Sequence, residues 1–178
     1  MPNIQRWMWL TIVATLYLSP ATTQADTPDW PRIRSSDAVV LETLAIGQSR
    51  SGTFRALMKR LGRSDLIVHI DRRETRTRPL AVTRFIVATK HARYLRITLD
   101  VNRAGDASIS LLGHELRHAV ELAEAPWVSD EATYSLLYER IGHASCGAPS
   151  WCFDTPAAVA AGYQVLAELR RGRREGAE

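Results

Sequence analysis

Apolar positions change their spacing several times along this 178-residue chain, and each change marks an element. Trp7 to Leu18 is an almost unbroken apolar run, with Arg6 the only charge before Asp26. Residues 26–38, where Pro28 and Pro31 sit among small polar residues, read as an extended lead-in to one domain spanning 39–178. Val39 to Ile46 is apolar enough for a strand or a short helix. Phe54, Leu57, Met58 and Leu61 then recur at helical spacing and stop at Gly62. Leu66-Ile-Val-His-Ile70 is short and β-branched, a strand in which His69 is expected to be packed.

Arg72–Pro79 is charged and loop-like, read as a hairpin connection. Ala81–Thr89 and Arg93–Val101 predict two antiparallel strands. In the second, Leu95, Ile97, Leu99 and Val101 alternate with Tyr94, Arg96, Thr98 and Asp100, so one face is buried. A helix is expected from about Ala107 to Ala125, capped by Asp106 or Ser108 and stopped by Pro126. A second begins near Asp130 and ends at Gly142. Thr155-Pro156 opens a third, which runs into a basic tail. The elements predict an α+β domain in which a small antiparallel sheet packs on the Ala107–Ala125 helix and further helices.

Composition adds little beyond a globular class: 46% hydrophobic and 24% charged residues support one real core. The N-terminal run is shorter than the ~20 residues that span a bilayer. Followed by Thr23-Gln24-Ala25, it reads as a signal peptide of residues 1–25. That implies a periplasmic or secreted protein, with no membrane association after cleavage; left uncleaved, the segment would be an anchor. The basic residues are nearly all arginine, Lys59 and Lys90 being the only lysines, and they are scattered among acids without interleaved aromatics. A nucleic-acid partner is not expected from that pattern. Cys146 and Cys152 in an oxidising compartment predict a local disulfide.

The segment with chemistry is Gly113-His114-Glu115-Leu116-Arg117-His118. Histidines four apart stack one turn above each other on a helix, so both imidazoles can converge on one ion. Glu115 lies about 100° round the helix and reaches an attacking water without ligating. Such a match arises by chance on the order of once in a hundred chains of this composition. Leu112, Leu116, Ala119 and Ala123 form an apolar stripe roughly opposite, leaving the histidine face free for a cleft.

These residues resemble the zincin metallopeptidases, whose signature is His-Glu-x-x-His on an active-site helix. The resemblance implies one zinc ion on His114 and His118, Glu115 as general base, and a peptide or protein substrate. It also implies an edge strand before the helix that pairs with extended substrate, the place of Arg93–Val101. Arg117 departs from the family, which usually has an uncharged residue there, and the metzincin extension is absent. The longer pattern, with a later Phe-acid-Thr and a final amphipathic helix, resembles a group of exported bacterial proteins with no assigned substrate.

The third ligand stays open in the sequence. Glu121 shares the histidine stripe and can ligate or orient His118 from behind. Glu131 on the next helix is the alternative, with Glu139 and Asp154 as further candidates. His143, Tyr134 and Tyr138 are candidates for stabilising an oxyanion.

Overall fold

The chain enters its sheet before its first helix. A computed structural model describes residues 30–73, 79–144 and 153–175. The signal segment 1–25, the start of the lead-in and the Cys146–Cys152 pair lie outside the described residues. Strand β1 (Ile33–Arg34) lies in the stretch expected to be a lead-in. It pairs in parallel with β2 (Leu66–Arg72), Ile33 opposite Val68, and Ile33 is buried in the core. Pro28 and Pro31, both just ahead of it, obscure a two-residue strand.

Val39–Ile46 belongs to a helix, α1 (Ala38–Arg50), because its buried positions Val40, Thr43, Leu44 and Gly47 fall on one helical face. Asp37 caps it, accepting from the Val39 and Val40 amides. Helix α2 (Gly52–Gly62) follows with Ser51 as cap and buries Phe54, Leu57, Met58 and Leu61.

The sheet is mixed rather than antiparallel. Its order is β1-β2-β4-β3, with β3 (Ala81–Ala88) antiparallel to β4 (Arg93–Leu99), and β4 parallel to β2. Strands β2 and β3 therefore form no hairpin. After β2 the chain passes to the far edge, and the short Thr89–Ala92 turn returns β4 into the gap. The apolar run Leu66, Ile67, Val68 and Ile70 is buried, as suits an interior strand. Consequently β4 is central and β3 is the edge strand, the reverse of the expected placing. The alternation along β4 does sort its faces: Leu95, Ile97 and Leu99 are buried and Arg96 is exposed.

Helix α3 (Asp106–Ala123) buries Ile109, Leu112, Leu116, Ala119 and Val120. Its N-cap is Gly105, with no side-chain cap; the Ser108 hydroxyl instead donates to the Arg103 carbonyl. Helix α4 (Glu131–Ile141) starts with a capping box between Asp130 and Thr133. The strand pair β5 (His143–Ala144) and β6 (Phe153–Asp154) precedes α5 (Pro156–Glu175), where Thr155 accepts from the Ala158 amide. Gly113 of α3 packs directly on Val165 of α5. Among the described residues, no helix is long and apolar enough to cross a membrane.

Buried Arg93, at the start of β4, locks the sheet to α3. Its Nη1 donates to the carbonyls of Leu122, Ala125 and Val128, at 3.1, 2.8 and 3.3 Å. Its Nε and Nη2 make a two-pronged bond to Asp65 at 2.7 and 2.8 Å. A cation at the carbonyl end of a helix also offsets the helix dipole. That hydrogen bond from Arg93 holds the Asp65 carboxyl below its ordinary value, against the opposing effect of burial. The Asp65 share of stability is therefore complete above about pH 4, the unfolded value, and is lost as pH falls through the folded value. Arg93→Met should cost about 2 kcal/mol in urea unfolding at neutral pH, chiefly from the buried carbonyls left without their donor, with the Asp65 share of the gap lost below about pH 4. Arg93→Lys should not restore it, because an ammonium lacks the planar fork. A loss that is small, or the same at every pH, would refute this role.

Candidate metal centre

Helix α3 turns its apolar stripe into the core and carries His114, Glu115, His118 and Glu121 on the side facing β3, β6 and the start of α5. The two imidazoles converge. Their Nε2 atoms are 3.1 Å apart and the rings meet edge-on with centroids 4.8 Å apart. Zinc–nitrogen bonds of about 2.0–2.1 Å in a tetrahedron put neighbouring donors about 3.3 Å apart. The observed spacing fits.

A candidate third donor comes from β6. Asp154 Oδ1 is 3.5 Å from His114 Nε2, and the ligand atoms of His114, His118 and Asp154 all lie within 4.8 Å of one another. That carboxylate oxygen is buried and has no hydrogen-bond partner among the described residues. Leaving such an atom unsatisfied costs about 1–3 kcal/mol or more, and a cation between the three donors would satisfy it.

Glu121 stands behind this set. Its Oε2 is 3.0 Å from His118 Nδ1, and its Oε1 accepts from the Thr155 hydroxyl at 2.7 Å. With the His118 proton on Nδ1, the Nε2 lone pair points to the cluster. Arg117, one turn before Glu121 on the same helix, makes only a looser ion pair with it, at 3.7 Å. Burial opposes charge on His118, but the Glu121 hydrogen bond and the charges of Glu115, Glu121 and Asp154 outweigh it and raise its pKa. For His114 burial dominates and lowers the pKa, which favours the neutral ring.

Glu131 does not join the cluster. Helix α4 points Tyr134 and Tyr138 at the site and leaves both Glu131 and Glu139 exposed. His143 is exposed too; its backbone pairs with Asp154 and so positions that carboxylate. Neither tyrosine hydroxyl is free: Tyr134 donates to the Thr83 carbonyl at 3.0 Å and Tyr138 to the His118 carbonyl at 2.9 Å. Burial raises the pKa of both phenols.

The cluster opens on a cleft of about 530 Å³, walled by residues 79–83, His114, Glu115, His118, Tyr134, Phe153 and Asp154. Glu115 is buried at its edge, and its Oε2 accepts from the Thr83 hydroxyl at 2.7 Å. Sequence reasoning missed Thr83, since only the tertiary fold sets an edge-strand threonine against α3. It also missed Gly142. A Cβ there would stand 2.3 Å from the Asp154 carbonyl oxygen and 3.0 Å from Thr155 Cγ2. Only glycine lets β6 lie this close.

Comparison with known proteins finds no matching family model, no matching curated sequence and no matching solved structure.

Gly142→Ala should displace Asp154 and weaken zinc binding by roughly 10–100-fold, with helical circular dichroism retained. Competition against a chromophoric chelator measures this. An unchanged affinity would mean that the β6 position does not set the site.

Proposed function

We propose that this chain is a zinc-dependent hydrolase, a small exported metallopeptidase of the periplasm or the extracellular space. The observation that carries the reading is the buried Asp154 oxygen, without a hydrogen-bond partner among the described residues, facing two convergent imidazoles, with Glu115 beside them on the cleft wall. His114, His118 and Asp154 would hold one zinc ion, which supplies a Lewis acid that acidifies water and polarises a carbonyl.

Glu115 takes the proton from the attacking water and returns it to the leaving amine. The Thr83 hydroxyl fixes one carboxylate oxygen, so the group does not swing onto the histidines. Strand β3 supplies a sheet edge beside the cleft for an extended peptide. Glu121 holds the His118 ring from behind rather than ligating.

A second reading rests on the tyrosines. With both hydroxyls committed to backbone carbonyls, neither Tyr134 nor Tyr138 is left to donate to an oxyanion. That favours a catalytically inactive metal-binding or interaction domain of the same compartment.

Glu115→Gln should keep zinc stoichiometry and fold while cutting hydrolysis of a broad peptide library by about a hundredfold or more. Undiminished turnover in the variant would rule out the assigned base. Stoichiometric zinc with no cleavage by the unaltered chain would select the second reading.

A further inference from the structure

A string of concavities runs along α3 from the cleft to the start of the helix. The cleft shares Leu80, Leu111, His114 and Asp154 with a second hollow of about 660 Å³. Val101, Val159, Tyr163 and Leu166 wall that hollow, giving it an apolar lining. It shares Arg103 with a third hollow, and Ala107 and Leu166 with a fourth. These last two are lined by Arg50, Arg103, Arg170, Arg173 and Arg174. Asp106 lies between them, already ion-paired with Arg50 and Arg173. Asp100, the other acid on the path apart from Asp154, is buried. Arg103, Arg170 and Arg174 are exposed. In these two hollows five arginines face one acid, Asp106.

We infer that this track reads the substrate: an extended polypeptide with an apolar residue beside the reacting bond and acidic residues further along on one side. The inference rests on the hydrolase reading above and names its substrate class. The spacing follows from the helix. Eight residues separate Asp106 from His114, about 12 Å at 1.5 Å per residue. Extended peptide covers about 3.3 Å per residue, so the acids fall about four positions from the bond. Guanidinium groups pair with carboxylates in two-pronged fashion. Tyr163 is the one Phe, Tyr or Trp on the second, third and fourth hollows, which suits a peptide better than a stacked nucleic-acid strand.

The test uses the zinc-loaded full chain carrying Glu115→Gln, so that binding is measured without turnover. The probes are fluorescein-labelled dodecapeptides with a central leucine and three glutamates starting four residues away. The glutamates lie on the N-terminal side in one probe and the C-terminal side in another, and each probe has a glutamine twin. One glutamate peptide should bind about tenfold tighter than its twin by anisotropy, the gap closing near 0.5 M salt. Arg103→Glu with Arg170→Glu should erase the gap. Equal binding of every twin pair, or no binding of any, overturns the inference. Cleavage of both twins alike by the unaltered chain keeps the hydrolase reading and discards the track. Tighter binding of a glutamate peptide that is never cleaved keeps the track and discards the hydrolase.

Discussion

One buried carboxylate holds the candidate centre together. Glu121 grips His118 Nδ1 with one oxygen and the Thr155 hydroxyl with the other. His118 rides on α3, whereas Thr155 directly follows Asp154 and caps α5. A single side chain thus fixes two donors that come from separate elements. Desolvating Glu121 is costly, and only its full set of bonds makes the arrangement tolerable. Removing either partner would leave a buried acceptor unsatisfied and loosen both donors at once.

The rest of the fold serves to keep α3 in place against that chain of bonds. Arg93 ties the helix's carbonyl end to β4 and to Asp65. Gly113 lets α5 press against the helix middle. At the start of α2, Ser51 and Thr53 bond Glu168 of α5, and although burial opposes it these bonds hold that carboxyl down to about 2. Each contact joins sequence-distant elements, so the site is a product of tertiary packing around one well-specified helix.

What the sequence makes legible follows from that division. The helix was readable because its apolar stripe, histidine pair and Pro126 stop are all local signals. Thr155-Pro156 announced α5 for the same reason. Strand order was not readable: parallel pairing of β2 with β4 depends on where the chain crosses after β2, and neither strand's alternation encodes that. The sheet edge was therefore misassigned to Arg93–Val101. The carboxylate that faces both histidines on their cleft side, Asp154, lies 36 residues beyond His118, on a two-residue strand mounted by Gly142 and the His143 backbone. Glu121 and Glu131 have better local spacing, yet the first is turned to the back of His118 and the second is exposed.

The central assignment is that His114, His118 and Asp154 share one ion. Crystals grown with zinc, and diffraction recorded at the zinc edge, address it most directly. The anomalous peak should sit about 2.0–2.2 Å from both Nε2 atoms and from an Asp154 oxygen, with Glu121 outside bonding range. An ion bound elsewhere, or no peak between the two imidazoles, would contradict it.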